Sequence, residues 1–220
     1  AAAAARDEAL RTFATGCLAL SSARAKAASV LSKALVASLG ELGITEAQFR
    51  TDLNITEDPE GPVECNGRHY AATKDGMDQV AFHISTNTGE APRPLARIAS
   101  GGEISRVMLA FKDAVAERDL VSILVFDEID AGISGHIAAA VGRKMQALSA
   151  SHQTIAITHL PQIASIADQH FSVRKRQIKK RTVTEVLALN EKDRTEEIAY
   201  LLAGDTISDT ARRHAREMLQ

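Results

Sequence analysis

The chain has 220 residues, 45% of them hydrophobic, enough apolar material for one large or two small globular domains. A formal net charge of -2 excludes a globally basic nucleic-acid binder while leaving room for a local patch. No apolar run approaches the roughly 20 residues of a membrane span, and the first residues carry neither a charged leader nor a cleavage pattern, so no membrane association and a cytoplasmic location are expected. Cys17 and Cys65 stand far apart without CxxC spacing, which points to neither a disulfide framework nor a zinc site.

Residues 1–43 are rich in Ala, Leu, Lys and Arg and contain no Pro. Leu10, Phe13, Cys17 and Leu20 alternate in spacings of three and four, a heptad seam; Ala27, Leu31, Leu35, Leu39 and Leu42 then widen the stripe toward a face packed on a globular body. Two readings stand side by side: a coiled-coil-like helix that pairs and then docks, or an ordinary amphipathic surface helix. Gly40 and Gly43 stop it. Residues 47–55 alternate apolar and polar as a half-buried strand does, residues 63–70 with Asn66-Gly67 inside them read as a tight hairpin, and Val80, Phe82 and Ile84 make another alternating strand. Pro92 and Pro94 punctuate the chain before the next motif.

Ser100, Gly101, Gly102 and Glu103 open a helix with apolar positions Ile104, Val107, Met108, Phe111 and Val115. Ser100 and Glu103 have capping-box spacing, which accounts for both of them but not for two glycines; with no Cβ in the way another backbone or a phosphate can come close, and the bare amides of a helix start attract anions.

Residues 121–126 form an apolar run too short for a typical helix, expected as a strand buried on both faces. It ends in Asp127 and Glu128, at the edge where parallel sheets bind ligands. Adjacent side chains diverge on a strand, so one carboxylate can hold hydrated Mg²⁺ while the other faces a water attacking a phosphoryl group; capping of the following turn by Asp127 is the plainer alternative. Asp130, Ala131 and Gly132 form a flexible turn into a helix over 136–148. Residues 154–158 repeat the design as a second apolar strand, ending in His159, with Pro161 starting a helix. If the two strands are parallel neighbours, His159 shares an edge with Asp127 and Glu128; a structural histidine is the alternative. Residues 171–176 and 182–189 pair as a hairpin across the basic stretch 174–181, and helices over 192–203 and 208–219 finish the chain.

In this order, Ser-Gly-Gly-Glu at 100, the strand ending Asp127-Glu128, the Asp130-Ala131-Gly132 turn and His159 resemble the signature motif, Walker B strand, D-loop and switch histidine of an ABC-type ATPase head. The flanking words, Leu95-Ala-Arg-Ile-Ala-Ser-Gly-Gly-Glu-Ile-Ser-Arg, Val125-Phe-Asp-Glu-Ile-Asp-Ala-Gly-Ile-Ser-Gly and Ile157-Thr-His-Leu-Pro-Gln-Ile-Ala, narrow the resemblance to the SMC-like ATPases of bacterial DNA repair. That resemblance implies an α/β fold, the carboxyl-terminal part of an ABC/SMC-type P-loop head, with residues 1–43 as the end of a coiled-coil arm and 44–220 as the half-head. It implies ATP and Mg²⁺ as ligands. Ser100, Gly101, Gly102 and Glu103 would meet ATP held by a second head, Asp127 would support Mg²⁺, Glu128 would be the general base, and His159 would contact the γ-phosphate. Asp130, Ala131 and Gly132 would cross between heads. The implied partners are the amino-terminal half of the same head, a second head and DNA, in recombinational repair of double-strand breaks.

One departure stands out. A Gly-x-x-x-x-Gly-Lys-Ser/Thr phosphate loop is absent, and so is any Gly-Lys pair, so the chain alone is expected to hydrolyse little or no ATP. Three other readings remain: another SMC-like head, a transporter's nucleotide-binding domain, or a non-catalytic oligomerisation module. The helix at 1–43 and Glu103 argue against the transporter. Lys175, Arg176, Lys179, Lys180 and Arg181 offer charge for DNA phosphates, or simply a solvated hairpin, and no aromatic residues interleave with them.

Overall fold

The computed structural model describes residues 2–97, 101–178 and 181–220, the side chains of Glu117 and Ile178 excepted. They pack as two units, Ala1–Gly40 with Ile44–Ala99, and Glu41–Gly43 with Ser100–Gln220.

The first unit is built on a long helix, α1 (Ala2–Glu41), followed by β1 (Gln48–Asn54), β2 (Val63–Cys65), β3 (Arg68–Tyr70), β4 (Gln79–Ser85) and β5 (Arg93–Pro94). β4 lies between β1 and β5, antiparallel to both, with Phe49 opposite Ile84 and Leu53 opposite Val80. The Phe49 and Phe82 rings meet diagonally across the pair, centroids 5.6 Å apart. β2 and β3 form the expected hairpin. Asn66 (φ 53°) and Gly67 (φ 73°) both take the left-handed conformation that a two-residue turn between twisted strands requires. The expected seam on α1 is divided. Cys17 is buried with Val63 and Met77, while Leu10, Phe13 and Leu20 stand exposed. The hairpin strand β2 covers the one turn of helix that carries Cys17, so that position serves the chain's own core. Farther along, Asp78 pins α1, accepting from Ser21 Oγ at 2.7 Å and Arg24 Nη1 at 3.1 Å.

The second unit alternates helix and strand: α2 (Gly101–Val115), β6 (Ile123–Phe126), α3 (Gly135–Leu148), β7 (Gln153–Ala156), α4 (Pro161–Ala164), β8 (Phe171–Ile178), β9 (Arg181–Ala188), α5 (Glu191–Ala203) and α6 (Asp209–Met218). β6 and β7 are parallel, joined through α3, with Phe126 opposite Ala156. α2 and α3 are tied by an ion pair between Asp113 and Lys144 at 3.1 Å, and α3 and α4 approach so closely that a Cβ on Gly142 would lie 3.2 Å from the Gln162 carbonyl. Ala164 of α4 joins Ile198 and Ala199 of α5 and Ala215 of α6 in a terminal core. Asn190 and Ser208 cap α5 and α6, each side chain accepting from the amide three residues on.

The expectation that β6 is buried on both faces is corrected. Leu124 and Phe126 are buried, but Ile123 and Val125 are 54% and 62% exposed, and Ile155 and Ile157 beside them are also bare. A run apolar at both parities needs cover on both faces, and only one face has it among the described residues. β7 is also shorter than expected, ending at Ala156, because Thr158 and the His159 amide turn aside to bond Asp130.

Candidate functional site

The carboxyl end of β6 delivers Asp127 and Glu128 to an exposed edge. Asp127 does act locally, its Oδ1 accepting the Glu128 amide at 2.9 Å. Glu128 then takes φ 55°, a left-handed conformation that costs a non-glycine residue of order 1–3 kcal/mol and persists only where the surroundings enforce it. The enforcement comes from α2. Ser105 Oγ donates to the Asp127 carbonyl at 2.7 Å, and the buried Arg106 donates through Nη1 to the Ala131 carbonyl at 2.9 Å, with the Ile129 carbonyl at 3.5 Å. Ala131 N–H closes the turn onto the Glu128 carbonyl at 3.0 Å.

The two glycines that open α2 lie against this turn. A Cβ on Gly101 would overlap the Glu128 carboxylate, and a Cβ on Gly102 would lie 2.7 Å from Ala131 Cβ, 2.9 Å from the Ala131 carbonyl and 3.0 Å from that of Glu128. The close approach of another backbone, which the two glycines were expected to allow, is thus made at Gly102, while at Gly101 the neighbour is the end of the Glu128 side chain. The capping box expected of Ser100 and Glu103 depends on Ser100, which lies outside the described residues, as do Lys179 and Lys180 of the basic stretch.

His159 stands on the same edge as Asp127 and Glu128, as the parallel pairing of β6 with β7 dictates. Its ring is exposed, and its Nδ1 sits 3.0 Å from Asp130 Oδ2. Asp130 is buried, and the same oxygen accepts from Thr158 Oγ1 at 2.6 Å and from the His159 amide at 2.8 Å. Burial alone would raise the Asp130 carboxyl; the Thr158 hydroxyl, the His159 amide and the imidazole together outweigh it and hold the group below the usual carboxylate range. Asp130 is therefore bound within this chain. Gly132 (φ 74°) is exposed with open space around it, beyond the cluster.

The structure thus brings Gly101, Gly102, Asp127, Glu128, Ala131, Asp130 and His159 to one edge. Thr158, Ser105 and Arg106 join them without having been singled out from sequence. Arg106 had a signal: with Gly102, Leu109 and Ala110 it falls at helical spacing on the buried stripe of α2, an odd place for a cation. No group of three or more His, Cys, Asp or Glu side chains that could hold a metal occurs among the described residues. One exposed carboxylate at Asp127 still fits Mg²⁺, which is commonly held by one or two carboxylates together with substrate phosphates and water. A cavity of about 420 Å³ lined by Gln146, Ser165, Asp168, Arg194 and Met218 lies elsewhere.

The architecture defines the class by its fold, the carboxyl-terminal part of an SMC-type head domain. A crystal structure of an Smc head domain with coiled coil and joint from Pyrococcus yayanosii superposes with a TM-score of 0.52 at 21% identity, over 80% of this chain and 29% of that one. The particular proteins to which the sequence is similar are those called DNA repair protein RecN. It is 41% identical to the Streptomyces coelicolor protein over 202 residues, 37% to that of Halalkalibacterium halodurans over 201, and 43% to that of Treponema pallidum over 182. These alignments cover 92%, 91% and 83% of the chain but only 35%, 34% and 30% of those relatives, so the chain spans about a third of their length. No family model matches it. No described helix is long and apolar enough to cross a membrane.

Proposed function

We propose that this chain supplies the carboxyl-terminal half of an ATP-hydrolysing head in a cytoplasmic, nucleoid-associated SMC-like DNA repair protein, whose head engagement moves coiled-coil arms that tether DNA. The observation that carries this reading is the shared edge: two carboxylates and a histidine at the ends of parallel strands, packed against a glycine-opened helix. Glu128 would act as general base, polarising the water that attacks the γ-phosphorus, and His159 would meet the γ-phosphate. Asp127 would hold Mg²⁺, which when bound neutralises charge on the transferring phosphate. Ser100, Gly101, Gly102 and Glu103 would present the helix end to ATP held by a second copy of the head, across an interface involving Asp130, Ala131 and Gly132.

With no phosphate loop in its sequence, the chain would need the amino-terminal half of the head to bind ATP. The bare face of Ile123, Val125, Ile155 and Ile157 is where that half would complete the sheet. DNA would be a partner of the complete protein.

The test is steady-state ATP hydrolysis by the complete protein beside its Glu128→Gln variant. Turnover should fall by about 10²–10⁴-fold with ATP binding retained, because the carboxylate acts on the water and not on the bound phosphates. Equal turnover would remove Glu128 from the chemistry. A folded, DNA-binding protein without any turnover would favour the non-catalytic oligomerisation module, for which the exposed Leu10, Phe13 and Leu20 of α1 are the supporting feature.

A further inference from the structure

We propose that Arg106 is a positioning residue that ties the Gly101-Gly102 end of α2 to the carboxylate turn and, through Asp130, to His159; the inference rests on the ATPase reading above. An arginine left only 6% exposed is costly, and an apolar side chain of similar volume would fill the same place on the α2 stripe without that cost. Burial does push its ionisation down, opposed by the charge of Glu103, yet arginine keeps its proton. Its Nε is buried without a partner, so the side chain is not placed there to satisfy its own hydrogen bonds. What it does satisfy is the turn: one Nη reaches the carbonyls of Ala131 and Ile129, the residues on either side of Asp130.

Asp130 completes the link in the opposite direction. Its carboxylate holds the Thr158 hydroxyl, the His159 amide and His159 Nδ1 at 2.6, 2.8 and 3.0 Å. Residues 129–131 are thus anchored to α2 by two carbonyls, those of Ile129 and Ala131, and to the end of β7 by the Asp130 side chain. Glu128 immediately precedes them in a left-handed conformation that needs such support. A displacement of α2 at its glycine end would therefore reach both the general base and the histidine through one turn. Lysine is a poor substitute: its strongly hydrated ammonium on a flexible stem is not held in place, as the planar guanidinium is, where one nitrogen meets both carbonyls.

The experiment uses the complete protein carrying Arg106→Met, Arg106→Lys, Asp130→Asn or Arg106→Met with Asp130→Asn, and Leu148→Ala as a core-destabilised control. ATP turnover, ATP affinity, thermal midpoint and hydrogen exchange of peptides over 128–133 and 157–160 are measured for each. Arg106→Met should lower kcat on the order of 10²-fold, the effect of a misplaced catalytic group, with ATP affinity unchanged, and Arg106→Lys should not restore it. The double variant should be no slower than Asp130→Asn, because both changes cut one link. The Ala131 and His159 amides should exchange faster in Arg106→Met than in Leu148→Ala at equal distance below the melting point. Retained kcat, additive losses, or exchange no faster than in the control would each overturn the proposal. Were wild type and Glu128→Gln to prove equally inactive, the ATPase reading would fall by itself, and the exchange comparison would still decide whether Arg106 holds the turn.

Discussion

The carboxyl end of the β6–β7 pair and its outer face belong to the same two strands, yet they are finished in opposite ways. At the end, polar groups have partners: Ser105 holds the Asp127 carbonyl, Arg106 that of Ala131, and Asp130 gathers Thr158 and His159. On the face, Ile123, Val125, Ile155 and Ile157 stand in solvent. Polar groups taken from water are mostly satisfied within the chain, Arg106 Nε being an exception at this end, because each orphan costs about 1–3 kcal/mol. Apolar side chains can wait for a partner, since exposure costs only an area-proportional term. The contrast separates what this chain completes by itself from what we propose the rest of the protein completes.

The packed end can be broken most directly at the glycines, which make a graded pair. Gly102→Ala drives a methyl group into Ala131 and two carbonyls, backbone that cannot swing aside, and should destabilise the second unit by about 1–3 kcal/mol. Gly101→Ala meets only the tip of the Glu128 carboxylate, which can rotate toward solvent, so its cost should stay below about 1 kcal/mol. Denaturant unfolding of the two variants measures the order. If Gly101→Ala were the more damaging, the close approach of α2 to the turn described above would be wrong.

A smaller effect comes through Asp130. Its carboxyl titrates lower in the fold than the ordinary value near 3.9 of an unfolded chain, so its bonds add stability fully above that value. The contribution is lost as pH falls through the lower, folded value. Asp130→Asn removes the charge that Thr158 and His159 bond, and should lower stability at pH 7 by an amount on the order of 1 kcal/mol. The same variant should lose less than wild type as pH is taken from 5 down to 2. An identical acid limb in both proteins would mean that Asp130 is not held as described.

Much of this was legible in the residues because the local rules are short. Asn66-Gly67 fixed a hairpin turn, the period of two gave β1 and β4, and two short apolar runs separated by a helical length gave a parallel pair with its polar ends on one edge. Other features depend on what lies across space. Nothing in the spacing of Leu10, Phe13 and Cys17 says that β2 covers the third and leaves the first two bare. The apolar parity of β6 signalled two covered faces, but sequence periodicity records a preference for cover, not the element that provides it. Arg106 was overlooked for a related reason. A cation among apolar helix positions reads as a residue that snorkels to solvent, and only the carbonyls of a distant turn give it a buried place.

The bare face yields the smallest effect in this chain alone and the sharpest use of the contrast. Val125 is 62% exposed, and Val125→Thr keeps its shape and β-branching while adding a hydroxyl. In the 220-residue chain the hydroxyl meets water, so the change should stay within about 0.5 kcal/mol. In the complete protein, if the amino-terminal half covers this face, the same hydroxyl is buried without a partner and should cost about 1–3 kcal/mol. Unfolding midpoints of the two variant and wild-type pairs, followed in parallel, report the difference. A negligible effect in both contexts would leave the face exposed in the whole protein and would remove the sheet face as the surface on which the head is completed. A large effect confined to the longer protein would locate that junction at Val125, because wholesale weakening of β6 would register in the short chain as well.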